Sequence, residues 1–92
     1  MLYATKIKMN SGAEESRCSK DIEYIYLKGA HGETYHTKEM VHAYLENCSE
    51  TIVVKCSEAP LLEAATSESG SQYVRSRNFR TEIDPLLTLP RV

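Results

Sequence analysis

The chain has no tryptophan, one phenylalanine and no long hydrophobic run. Its longest apolar stretches are a few residues, as at Thr51-Ile52-Val53-Val54, against the ~20 that a membrane-spanning helix needs. No membrane partner is therefore expected. The opening residues, Met1 to Lys8, lack the apolar centre of a signal peptide, so the expected location is cytoplasmic. Nor is there a large excess of either positive or negative residues, with 11 Lys and Arg against 13 Asp and Glu. The net charge is −2 and the pI about 5.9, which makes nucleic acid an unlikely partner, since dedicated nucleic-acid binders are usually basic.

Cysteine is sparse. Cys18, Cys48 and Cys56 are odd in number, and no two stand in C-x-x-C spacing, so free thiols are expected. Cys48 closes a helical pattern and Cys56 ends a strand pattern, which suits small core residues. Cys18 lies in a polar loop with Arg17 and Lys20, whose charges favour a thiolate without assigning it a role.

Signatures of chemistry are absent too. There is no G-x-S-x-G elbow, no G-x-x-x-x-G-K-[ST] loop and no G-x-G-x-x-G fingerprint. His31, His36 and His42, even with Cys18, match no familiar zinc spacing, and His36 and His42 are six apart instead of four. The expectation is no catalytic residue, no metal and no cofactor, hence a protein that is not an enzyme.

What is present is globular: 92 residues, 41% hydrophobic and 26% charged, read as one domain over 1–92. Tyr3, Thr5, Ile7 and Met9 alternate with Lys6 and Lys8, the pattern of a half-buried strand. Residues 10–20 are polar without periodicity and read as a mobile loop. Asp21–Leu27 is a strand with large side chains on both faces: Ile22, Tyr24 and Tyr26 on one, Ile25 and Leu27 on the other. Such a strand is central, or its second face meets a partner. Gly29–Gly32 turns the chain.

Thr37–Asn47 reads as a helix, with Thr37 as its N-cap. Met40, Val41, Tyr44, Leu45 and Cys48 form its apolar stripe, to be buried against Ile7, Ile25 or Tyr24, and Val53. Thr51–Cys56 and Gln72–Arg77 read as strands, and Leu61–Ala65 as strand or short helix. The apolar tail, 84–92, docks as irregular chain or a single turn. The order β-β-α-β-β predicts an α+β fold: an antiparallel sheet of four to five strands with one helix packed on one face.

Two features bear on function. Residues 71–80 hold three arginines and no acid. In a strand, Tyr73, Arg75 and Arg77 project from one face, and Arg80 follows a turn. Two guanidinium forks beside a ring suit a phosphate or carboxylate. The alternative is an edge strand whose charges prevent aggregation and pair with Glu82 or Asp84. The second feature is six tyrosines, of which Tyr24 and Tyr26 are the candidate interface residues. Together with a small core, they point to a non-enzymatic interaction module that forms a homo-oligomer. The alternative is a small-ligand binder that holds an anionic metabolite or nucleotide through Tyr73, Arg75, Arg77 and Arg80.

Several segments also resemble a known family. Tyr3-Ala4-Thr5-Lys6-Ile7, the stretch Gln72-Tyr73-Val74-Arg75-Ser76 and the tail Asp84-Pro85-Leu86-Leu87-Thr88-Leu89-Pro90 are similar to segments of the small, mostly bacterial proteins catalogued as domain of unknown function 3892. Lys38–Asn47 occupies the place of that family's helix. The charged loop at 10–20 and the segment Leu61–Ser71 depart from the pattern. The resemblance implies a fold and no catalytic residues.

Overall fold

The structure is a computed structural model that describes residues 2–47, 51–77, 79 and 82–92. Among these residues there are six strands and one α-helix: β1 (Leu2–Met9), β2 (Ile22–Gly29), β3 (Gly32–Thr37), α1 (Lys38–Asn47), β4 (Ile52–Val54), β5 (Leu62–Thr66) and β6 (Gln72–Ser76). The expected α+β class holds. The sheet differs from the expected antiparallel one in its topology. Its order is β3-β2-β1-β4; β1 and β4 run parallel, and β5-β6 form a separate hairpin. The helix accounts for the parallel pair. It carries the chain from edge strand β3 across to the far side of β1, and a crossover can return a strand in the parallel sense.

Strand β3 is the element without an apolar signal. Glu33-Thr34-Tyr35-His36 extends the β2 hairpin as an exposed edge strand, paired with β2 from Gly29↔Gly32 to Tyr24↔Thr37. Gly32 closes the turn at φ +116°, a conformation that L side chains rarely adopt.

Two irregularities decide which face each side chain takes. Between β1 and β2, Ala4 pairs with Leu27, yet Lys6 pairs with Tyr26, so Thr5 is an extra residue. A second shift follows Lys8, with Met9 opposite Ile22. Each bulge reverses the alternation of the strand that carries it. Ala4, Ile7 and Met9 therefore all point inward, and Ile22 joins Ile25 and Leu27 in the core instead of sharing a face with Tyr24 and Tyr26. Tyr3 and Thr5 leave the inner face that simple alternation assigns them.

The core holds these residues with Ile52, Val54, Val41, Leu62, Val74, Leu86, Leu87 and Leu89. The helix begins as expected, with the Met40 N–H donating to Thr37 Oγ1 at 3.2 Å. Its buried side is rotated from the expected stripe. Val41 and His42 are buried, Tyr44 and Leu45 pack half-buried, and Met40 is 56% exposed. The reason is the seat. The helix packs mainly on β5 and β6, with β2 and β3 beside it, so the side next to the hairpin is the one covered. His42 is consequently an interior histidine, not one of the helix surface, with Nδ1 3.2 Å from Glu46 Oε1. Cys48 lies outside the described residues; Cys56 packs half-buried against the core.

The tail locks the assembly. Beyond the short reach of β4, the free edge of β1 pairs with the chain's end: the Ile7 N–H donates to Pro90 O, and the Val92 N–H to Ile7 O, both at 3.0 Å. Asp84 is the joint. Its buried carboxylate accepts from the backbone N–H of Leu86 (2.9 Å), the N–H of Ser76 in β6 (3.1 Å) and Ser19 Oγ (3.0 Å). One carboxylate thus ties the tail, the hairpin and the turn before β2. The loop from Asn10 to Lys20 is stitched by Ser16 Oγ to Asp21 (2.5 Å) and by Arg91 to Glu14 O (2.6 Å).

Candidate functional site

All core residues of β1 and β2 lie on one side of the sheet, so the opposite face carries side chains of another kind. Register identifies them. Lys8 stands opposite Tyr24, Lys6 opposite Tyr26, Tyr3 opposite Lys28; across β2, Tyr35 faces Tyr26 and Glu33 faces Lys28. Three rings gather at its centre. Tyr24 and Tyr35 meet edge to face at a centroid distance of 5.3 Å, and Tyr26 and Tyr35 lie tilted at 5.6 Å. Such contacts are the favoured geometries of aromatic pairs and hold the rings in place. Lys6 and Lys8 arch over Tyr26 and Tyr24, each with Nζ 5.8 Å from the ring centroid. That is the outer range of a cation–π contact.

At the β1 end of this face, Tyr3, Lys28, Gly29, Ala30 and Lys55 line an open cleft of about 410 Å³ with no acid in its lining. Four of the chain's six lysines (Lys6, Lys8, Lys28 and Lys55) therefore border one surface with four tyrosines. Glu33 is the carboxylate among them. It accepts from Thr5 Oγ1 (2.5 Å) and from Lys6 Nζ (3.1 Å). Those hydrogen bonds, Thr5 first and then Lys6, hold the Glu33 carboxyl below its ordinary pKa.

The expected interface pair, Tyr24 and Tyr26, sits at the middle of this surface. Tyr3, Tyr35 and the lysines around them went unnoticed in the sequence. Their common face depends on the bulge at Thr5 and on β3, neither of which leaves a periodic signal.

The expected ligand-binding residues lie elsewhere. Tyr73 and Arg75 are in β6, and Arg77 follows it. Arg75 Nε is 2.8 Å from Glu63 Oε2, and Arg77 Nε is 3.5 Å from Glu63 Oε1. The two guanidiniums converge as the i, i+2 spacing predicts. The anion between them is Glu63, the cross-strand neighbour of Arg75, and not Glu82 or Asp84. This hydrogen bond raises the pKa of Arg75 further. The Tyr73 ring carries Lys20 Nζ at 5.8 Å. Arg80 lies outside the described residues.

Other sites are poorer. Among the described residues, no group of three or more histidine, cysteine or acidic side chains could hold a metal, and no helix is long and apolar enough to cross a membrane. Cys18 is an exposed free thiol with no histidine or acidic cluster around it among the described residues. A cleft of about 250 Å³ between sheet and helix, lined by Leu2, Leu27, His36, Met40, Val41 and Tyr44, is apolar.

No family model, curated protein or solved structure matches the chain.

Proposed function

We propose that this protein is a non-enzymatic interaction module whose working surface is the open face of the four-stranded sheet, and that its partner there is anionic. The observation that carries this reading is the convergence of Lys6, Lys8, Lys28 and Lys55 with Tyr3, Tyr24, Tyr26 and Tyr35 on one face of a chain with net charge −2. Charge segregated against the average gives a local field of its own. Tyrosine adds contact area with a hydroxyl that stays wet, a combination favoured at interfaces.

The charge also argues about which partner fits. A two-fold dimer through this face would set lysines against lysines with one carboxylate per copy to relieve them. An acidic partner meets no such repulsion. Titrating inorganic polyphosphate or poly-glutamate into the protein tests the reading. Binding that weakens with salt and is lost in the Lys6→Ala/Lys8→Ala/Lys28→Ala variant supports it; equal binding by that variant overturns it.

A second copy has a different place to dock. Strand β3 is the end of the sheet, and its outer edge carries neither proline nor lysine, the residues that usually blunt such edges. Self-association by edge-to-edge pairing at β3 is the second reading. It would extend the tyrosine–lysine face across both copies. Light scattering tests it: a mass above 10.4 kDa that falls to the monomer value in Thr34→Lys supports edge pairing.

The arginine strand supports a small-anion site less well, because Glu63 already engages both guanidiniums.

A further inference from the structure

Resting on the reading of the sheet face as an anion-binding surface, we infer that the anionic partner is single-stranded nucleic acid, with bases stacked on Tyr35, Tyr26 and Tyr3 and the phosphates tracked by Lys6, Lys8, Lys28 and Lys55.

The chemistry that separates nucleic acid from other polyanions is the alternation of charge with flat rings. An acidic peptide or a polyphosphate needs the lysines and makes no use of the tyrosines. Here the two are interleaved: each of the two central tyrosines of β2 has a lysine directly across on β1, and Tyr3 stands across from Lys28. Tyr35 and Tyr3 are 61% and 43% exposed, unusual for rings that could have been buried, and each offers surface to a base. Tyr35 is braced by Tyr24 and Tyr26, so ordering it on binding costs little side-chain entropy. Sequence-tolerant binders of single strands combine a basic track with such stacking platforms.

Geometry favours a single strand over a duplex. The rings stand on neighbouring strands of one sheet face: the Tyr26 and Tyr35 centroids are 5.6 Å apart, wider than stacked bases, and Tyr3 stands across from Lys28, two residues along β2 from Tyr26. Bases reach rings at that spacing when splayed out of a stack. In a duplex they are paired and hidden, and reading them needs a helix or ribbon that enters a groove. The cleft lined by Tyr3, Lys28, Gly29, Ala30 and Lys55 offers a ring and two cations to one base with its phosphate.

The average acidity of the chain counts against nucleic acid as a partner of the whole surface, and the inference rests on the local cluster of lysines instead. Few phosphates are contacted, so affinity depends on stacking as much as on charge. With about four lysines engaged, log K falls against log salt with a slope of roughly −3 for a single strand.

The experiment is fluorescence anisotropy with a labelled oligouridylate of roughly 12 nucleotides. The same sequence as a duplex and a poly-glutamate of equal charge are run beside it. The inference expects the single strand to bind at least about tenfold tighter than either competitor. Tyr35→Leu and Tyr3→Leu should each weaken the oligonucleotide about fivefold or more, the scale of one lost stack, while leaving poly-glutamate binding unchanged. Both rings are exposed, so these variants keep the fold, which circular dichroism checks. If poly-glutamate binds as tightly as the oligonucleotide and the tyrosine variants change neither, the nucleic-acid inference is overturned and the anionic-face reading stands. If no polyanion binds even at low salt, both fall.

Discussion

Lys6 and Glu33 lie two strands apart and still meet: Lys6 Nζ reaches across β2, over the Tyr26 ring, to within 3.1 Å of Glu33 Oε1. The pair ties the edge strand β3 to the centre of the sheet. It also occupies one lysine of the proposed binding face.

Replacing Glu33 with Gln frees Lys6 and removes the carboxylate from the face. Affinity for a polyanion should rise a few-fold, as read by anisotropy. The fold should barely notice, since an exposed pair contributes little to stability. The pH dependence has a definite sign. The folded-state pKa of Glu33 is depressed, so its stabilising effect is present above the unfolded value and is lost as pH falls through the folded one. Wild type should therefore lose slightly more stability than Glu33→Gln on acidification below about pH 4.5. An identical acid profile for both would show that the contact to Thr5 and Lys6 does not persist in solution.

Asp84 joins the tail, the hairpin and the turn before β2 through one buried carboxylate. Its removal by Asp84→Ala leaves the Ser76 and Leu86 N–H groups buried without their acceptor. Unsatisfied buried donors cost more than the hydrogen bond itself contributed. A loss of about 2–4 kcal/mol is expected in urea unfolding. Asp84→Asn, which keeps one acceptor oxygen, should recover part of it. A loss below ~1 kcal/mol would mean that water replaces the carboxylate there.

These two residues also mark how far the sequence could be read. The helix was legible because Thr37 caps it and its apolar residues repeat at helical spacing. The strand Ile22–Leu27 was legible because β-branched and aromatic side chains crowd it. The helix phase was not, because Met40 and His42 trade places according to the hairpin beneath, a contact distant in sequence. Nor was the face of Tyr3, which turns on one extra residue at Thr5. Strand β3 escaped because an exposed edge strand has no apolar alternation to show. Asp84 looked like a surface partner for arginine; its burial follows from the tail folding back onto β1, a non-local event.

Gly32 and Gly29 face each other across the β2–β3 turn and should respond differently to alanine. At Gly32 the backbone sits at φ +116°, where a Cβ is strained although space is open around it. Gly32→Ala should cost about 1 kcal/mol or more. At Gly29 the obstacle is the end of the half-buried Leu2 side chain, which can rotate away. Gly29→Ala should cost less than Gly32→Ala, and thermal unfolding of the two variants orders them. The reverse order would show that the Leu2 side chain is held more firmly than its partial exposure implies.

Glu63 divides itself between two arginines, and the unequal distances make an ordered prediction. Arg75 donates at 2.8 Å, whereas Arg77 stands at 3.5 Å, beyond a strong hydrogen bond. All three side chains are substantially solvated, so Arg75→Ala should cost only about 0.5 kcal/mol and Arg77→Ala less. The same geometry bears on anion binding. Two guanidiniums that reach one carboxylate can reach one phosphate, but in wild type the carboxylate competes from within the fold at no cost in translational freedom. Pyrophosphate should therefore bind wild type weakly. Glu63→Gln, which keeps the shape and removes the charge, should bind it more tightly. Adding Arg77→Ala to that variant should cancel the gain, about tenfold for one charge-assisted hydrogen bond. Calorimetry on the three proteins reads the sequence. Tight binding by wild type, unchanged in Glu63→Gln, would mean that Glu63 swings aside for the anion and that the arginine strand is a binding site in its own right.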